Sequence, residues 1–203
     1  MLFRSLTTQR MASVGVGCLR ALGCLLQRCR PMPVLTRSER VMFLNEPGVL
    51  LHLATIRSDG SPRIAPMWFI HEEGAIWFTP RAESDWLRDL RADPRCALVI
   101  DEQPLPYRKV SINGRAELAY DLGQDVVWRD LYRRIACRYV PPEGAEAYIQ
   151  TTLDQPRALF RVPLEGAVVQ TWRMPVEGED GAGIWHRRYY VAGSKMAKRV
   201  EGD

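Results

Sequence analysis

The chain has 203 residues, 46% of them hydrophobic and 26% charged, with a formal net charge of +4 at pH 7. This is the composition of an ordinary globular protein with one core domain, and no apolar stretch is long enough to span a bilayer. Arg4, Arg10, Arg20, Arg28 and Arg30, with no acid among residues 1–31, outweigh the net charge, so the rest of the chain stands at −1; a near-neutral body argues against a broad nucleic-acid surface.

Residues 1–31 read as a disordered, dispensable leader. Two origins fit it equally, an organellar transit peptide and a start codon placed too far upstream, since Met11 and Met32 are later starts. Residues 32–203 read as a single domain. Cys18, Cys24 and Cys29 fall in the leader and Cys96 and Cys137 in the body, and the histidines at 52, 71 and 186 are scattered. There is no zinc spacing and no disulfide framework. A reducing compartment follows, the cytoplasm unless the leader directs import.

In chain order, "LTRSERVMFLNEPG" (35–48) predicts a short helix. Thr36 caps it, Glu39 completes a capping box, and Pro47-Gly48 stop it. "VLLHLATIR" (49–57) is apolar on both faces and predicts a central strand. Asp59-Gly60 predicts a hairpin turn into a returning strand, "RIAPMWFI" (63–70). Pro66 within that strand demands an edge, a bulge, or a neighbour that is not a strand. After the turn "HEEG", a third strand runs over 75–79 and a helix over about 84–92. A fourth strand covers 95–102. The fifth, "KVSINGRAELAY" (109–120), alternates cleanly: Val110, Ile112, Ala116 and Leu118 face a core, Lys109, Ser111, Asn113, Arg115 and Glu117 the other side.

The period then changes. A helical insertion is expected at about 122–153, in two helices. In the first, Val127, Leu131, Ile135 and Tyr139 share a stripe with Trp128 and Tyr132 beside it, while Arg129, Arg133, Arg134 and Arg138 crowd away from it. "RALFRVP" and "AVVQTWRM" predict two last strands, and the tail is Gly-rich and irregular. Strands joined mostly by short turns, with helices inserted, predict a mainly β or α+β antiparallel barrel with flanking helices.

The series "LATIRSDGSPRIAPMWF", "IWFTPRAESDWLRDLRADPRCAL" and "KVSINGRAEL" resembles, in order and spacing, the FMN-binding split-barrel family typified by pyridoxamine 5'-phosphate oxidase. The likeness covers about 36–120 well. It implies a six-stranded antiparallel split β-barrel and a homodimer with two flavins in grooves between subunits. Carried over, Ala65, Pro66, Met67 and Trp68 line the flavin ring through their backbone, with Phe78 and Thr79 close by. Arg81, Ser84 and Arg88 then face the phosphate tail, and Lys109 stands where the oxidase has a cofactor-contacting glutamine. Pro66 fits this physically, because a flat ligand can replace a neighbouring strand there.

Two departures stand out. Trp86 occupies the position of a phosphate-binding lysine, and Asp85 beside it repels a dianion at a helix N-terminus that otherwise favours one. Arg88 can serve the phosphate or pair with Asp85 at i, i+3. The substrate-binding R-x-H motif of the oxidase has become Ile184-Trp185-His186, which leaves Trp185 and His186 as candidate substrate contacts and removes the case for vitamin B6 oxidation. The resemblance therefore implies an FMN-dependent oxidoreductase acting on an unidentified small molecule, with no dedicated catalytic side chain. A deazaflavin-dependent reductase and a non-catalytic flavin- or haem-binding module are the alternatives.

Overall fold

The structure, a computed structural model, describes residues 33–176. The leader, the irregular tail, Trp185 and His186 lie outside the described residues. Helices α1 (Arg37–Asn45), α2 (Asp85–Ala92), α3 (Arg129–Cys137) and α4 (Pro142–Gln150) accompany nine strand segments. These are β1 (Leu51–Ile56), β2 (Pro62–Met67), β3 (Ile70–Glu72), β4 (Ala75–Phe78), β5 (Arg95–Asp101), β6 (Lys109–Arg115), β7 (Glu117–Tyr120), β8 (Leu159–Pro163) and β9 (Val168–Trp172). All pair antiparallel, in a five-stranded sheet ordered β2-β1-β5-β6-β9 and a four-stranded sheet ordered β3-β4-β8-β7. The chain passes from one sheet to the other after Met67, through α2 between Phe78 and Arg95, at Ala116 and between Pro163 and Val168. The sheets do not close on each other by hydrogen bonds, which makes this a split barrel.

The local chemistry explains the joints. Thr36 Oγ1 accepts from the Glu39 amide at 3.2 Å, and the Glu39 carboxylate accepts from the Thr36 amide at 2.7 Å, the capping box expected for α1. In the β1–β2 hairpin, Asp59 accepts from the Ser61 amide at 2.9 Å and Gly60 takes a φ of +81°. Glu73 and Gly74 both have positive φ, 51° and 69°, the mirror-image turn whose twist suits the β3–β4 hairpin.

Two expected strands bend instead of running on. The run 63–70 leaves its sheet at Trp68 and resumes as β3, and the run 109–120 breaks at Ala116 into β6 and β7. Alternation continues through a corner, so the pattern carries no mark of it. Leu118 pairs opposite the buried Phe160 but lies on the edge strand β7 and is 44% exposed, and a register irregularity follows it before Tyr120.

The core lies between the sheets, with Phe43, Leu53, Phe69, Ile76, Phe78, Leu98, Ile112 and Phe160 among its members. Helix α3 begins only at Arg129 and buries Trp128, Tyr132, Ile135 and Ala136, leaving Val127 63% exposed. The stripe is rotated from the expected one because Trp128 and Tyr132 form the second cluster, with Ile149 of α4 and Leu159 of β8. Arg138, expected to face away, instead donates from Nη2 to the carbonyls of Leu44 and Glu46, 2.9 Å each, and lies 4.8 Å over the Phe69 ring. It closes the C-terminus of α1, whose carbonyls have no intrahelical donors. Among the described residues no helix is long and apolar enough to cross a membrane, and no group of three or more His, Cys, Asp or Glu could hold a metal ion.

Arg108 ties the same end of α1 to the β5–β6 connection. It donates to both oxygens of Glu46 at 2.7 Å and to Glu102 at 2.6 and 2.8 Å. The hydrogen bond from Arg108 holds the Glu102 carboxyl below its ordinary value of 4.5, and the one from Arg95 takes Asp93 down to about 2. A carboxyl depressed on folding stabilises the fold fully above its unfolded pKa and loses that contribution as pH falls through the folded one. From these two carboxyls the urea midpoint is expected to fall as pH drops from about 4.5 towards 2. A midpoint unchanged at pH 3 would contradict this.

Candidate functional site

Strand β2 forms an edge of the five-stranded sheet, the first of the three places that Pro66 allowed. Beyond it the chain turns out through Trp68, whose ring stacks on Tyr139 at 5.1 Å and 3° and meets Tyr148 edge-on at 5.4 Å. The Tyr139 hydroxyl accepts from the Phe69 amide at 3.1 Å and donates to the Val49 carbonyl at 2.8 Å, which fixes the ring that Trp68 stacks on. Burial raises the pKa of Tyr139, so it remains a neutral hydrogen-bonding post.

Between this edge and the helical insertion lies a cleft of about 370 Å³. Leu50, Pro66, Met67, Trp68 and Thr79 form the barrel wall; Tyr132, Ile135, Tyr148 and Arg157 form the other. Its charged wall is made of arginine. Arg157, 6% exposed, donates from Nη2 to the Tyr148 hydroxyl at 3.1 Å and lies 4.7 Å over the Tyr132 ring. Arg81 donates to the same Tyr148 oxygen at 2.8 Å. Burial disfavours ionisation of Tyr148, but the hydrogen bonds from Arg81 and Tyr132 and the charge of Arg157 prevail and hold its pKa below the usual tyrosine value. Burial raises that of Tyr132.

The later half of the corner, residues 84–89 with Arg63, is a separate place. Here Asp85 pairs with Arg88, the i, i+3 bridge, and also with Arg63 at 3.0 Å. Asp89, 6% exposed, accepts from Arg63 Nε at 2.8 Å and from the Thr55 hydroxyl at 2.9 Å. Two arginines thus meet two aspartates, and the corner presents no excess positive charge. Ser84 is the N-cap residue of α2, but its side chain makes no capping hydrogen bond. Trp86 turns inward and packs against the core, its ring 6.1 Å from that of Phe78.

The expected site residues are therefore divided. Pro66, Met67, Trp68 and Thr79 come together in the edge cleft, Ala65 adjoins them on β2, and Arg81 reaches the cleft through Tyr148. Arg88 is taken up by an ion pair. Phe78 is a core side chain, 0% exposed and stacked on Phe160 at 6.2 Å, so apolar contact with a ligand is not available to its ring. Lys109 stands on β6, separated from β2 by β1 and β5, with its ammonium 5.5 Å over the Trp172 ring. Arg157, Tyr139 and Tyr148 were missed. A single arginine before the last two strands gives no sign of burial, and only Tyr132 and Tyr139, in the helical spacing read over 122–139, carried a signal.

An open antiparallel barrel whose edge strand and helical insertion enclose an aromatic cleft defines a split-barrel protein. The chain belongs to the pyridoxamine 5'-phosphate oxidase family, whose model matches residues 38–168. Solved structures share the fold. A conserved hypothetical protein from Mycobacterium tuberculosis is 24% identical with a TM-score of 0.55, over 72% of this chain and 90% of that one. An FAD-binding protein from Mesorhizobium loti is 19% identical with a TM-score of 0.50, over 69% and 96%. The heme storage protein HutZ from Vibrio cholerae is 19% identical with a TM-score of 0.50, over 66% and 94%. No curated protein matches the chain.

Proposed function

We propose that the chain binds FMN with its ring in the edge cleft and acts as a flavin-dependent oxidoreductase on a small molecule. The observation that carries this reading is the free edge of β2 beside Trp68, facing a cleft whose charged wall is made of arginine. The group fits. The backbone of Ala65, Pro66, Met67 and Trp68 offers polar atoms at the strand edge, the Trp68 and Tyr148 rings offer apolar cover, and Thr79 offers a hydroxyl. FMN would supply hydride transfer, so the chain's own residues need only bind, orient and exclude water. That agrees with a cleft built from rings, amides and guanidinium groups.

A deazaflavin, with its longer acidic tail, would want a broader basic groove. Arg63 and Arg88 are neutralised by Asp85 and Asp89, and this favours FMN. Family membership also supports a homodimer. Ile64 on β2 and Val168 on β9, 70% and 59% exposed, are apolar residues that a second subunit would cover. Light scattering is expected to show a dimer, and a concentration-independent monomer would contradict it.

Titration of FMN, followed by quenching of its fluorescence, tests the reading. Trp68→Ala is expected to weaken binding about tenfold, the loss of one aromatic contact of about 1–1.5 kcal/mol. Trp86→Lys, which restores the family's residue, is expected to cost stability without tightening FMN, because the Trp86 ring belongs to the core. Saturable binding that ignores Trp68, or a Soret band in the purified protein, would overturn the proposal.

A further inference from the structure

We propose that Arg157, with Arg81 and Tyr148, forms an oxyanion subsite inside the edge cleft, taking one carboxylate or phosphate group of a small molecule. This rests on reading the cleft as a ligand site, but not on which ligand fills it.

Arg157 is the only arginine buried among the described residues. A guanidinium removed from water without a counter-charge is strongly disfavoured, and buried charges are normally paired. Arg108 shows the ordinary solution, with two glutamates around one guanidinium. Arg157 has no such partner among the described residues. Its Nη2 donates to a neutral phenol, its plane lies over the rings of Tyr132 and Tyr148, and its buried Nε has no acceptor. The acid of this region, Asp125, accepts from the Arg157 backbone amide at 2.8 Å and forms no ion pair with the guanidinium.

The backbone holds the second charge beside the first. Residues 80–82 and 156–158 pair as two short antiparallel segments. The Ala82 amide donates to Pro156 at 2.9 Å, the Ala158 amide to Pro80 at 3.1 Å, and Arg81 bridges to Arg157 between them. Both guanidinium groups then donate to one oxygen, Tyr148 Oη. With its lone pairs engaged, that oxygen directs its own proton elsewhere and can donate it to a ligand. Two cations, a phenol donor and an idle Nε are the groups that bind a carboxylate or phosphate, through charge-assisted hydrogen bonds.

The anion has two possible sources, the cofactor's phosphate and an acidic group on the substrate. Isothermal titration of the flavin-free protein with inorganic phosphate and with benzoate tests the subsite directly. At least one probe is expected to bind the wild type, about tenfold weaker in Arg157→Gln. Arg81→Gln, at an exposed residue whose loss spares the fold, is expected to weaken it severalfold. Arg95→Gln, far from the cleft and paired with Asp93, is expected to change nothing. No heat with either probe, or equal binding by wild type, Arg157→Gln and Arg81→Gln, overturns the proposal, as does a loss confined to Arg88→Gln. Where FMN binds more tightly than riboflavin and Arg81→Gln closes that gap, the anion is the cofactor's. Where no gap exists while the probes bind, it is the substrate's. Flavin binding without anion binding refutes the subsite alone. Anion binding without flavin binding refutes the flavin reading alone.

Discussion

Replacing Asp89 by alanine is expected to lower the stability of the fold by about 3 kcal/mol. Asp89 sits on the inner face of α2 at 6% exposure, and it is the acceptor for two groups from the β1–β2 hairpin. Thr55, 2% exposed, donates its hydroxyl at 2.9 Å, and Arg63 donates Nε at 2.8 Å. Without the carboxylate, the Thr55 hydroxyl is buried with no acceptor, a loss of about 1–3 kcal/mol by itself. Arg63 keeps Asp85 at 3.0 Å and is one-quarter exposed, so its share is smaller than for a fully buried pair. For a chain of this size the melting temperature should fall by roughly 6–12 °C. Asp89→Asn keeps an acceptor for Thr55 and should show about half of the effect. A melting curve that does not move would mean that α2 is held by its apolar face alone, through Leu87 and Leu90.

Phe78→Ala is expected to be more damaging, by about 4 kcal/mol. The side chain is wholly buried, stacked on Phe160 and tilted against Trp86, at the point where the four-stranded sheet meets α2. Its removal leaves a cavity that the surrounding strands cannot close, since β4 is paired on both sides, to β3 and β8. A fall of roughly 8–16 °C in melting temperature is the expected reading. Phe78→Leu should recover most of that and leave FMN affinity where it was. A variant that melts normally but loses FMN would return Phe78 to the cofactor.

The two substitutions bear on how far the site could be read from residues alone. The hairpin at Asp59-Gly60 and the capping box at Thr36 and Glu39 follow from local chemistry and stand in the structure, and of the three places that Pro66 allowed the structure takes the edge. So does the Asp85–Arg88 pair, because i, i+3 neighbours are fixed by the helix itself. The bends at Trp68 and Ala116 were not legible, since alternation of side chains survives a change of sheet. The state of charge at the corner was not legible either. It depends on Arg63, which comes from another hairpin, and on Asp89, which looks like an exposed helix residue until its face is known. Arg157 is the furthest case. Its burial, and its place beside Arg81, arise from a pairing of residues 76 positions apart, and no spacing rule reaches that far.

The account turns on one placement, a flavin ring against the free edge of β2. A crystal structure of the protein grown with FMN tests it most directly. The expected result is ring density beside the backbone of Ala65, Pro66, Met67 and Trp68, with Trp68 and Thr79 in contact and the corner pairs of Asp85 with Arg63 and Arg88 intact. Density for the ring anywhere else, or a phosphate that has displaced Asp85 from Arg88 while the edge cleft stays empty, would contradict it.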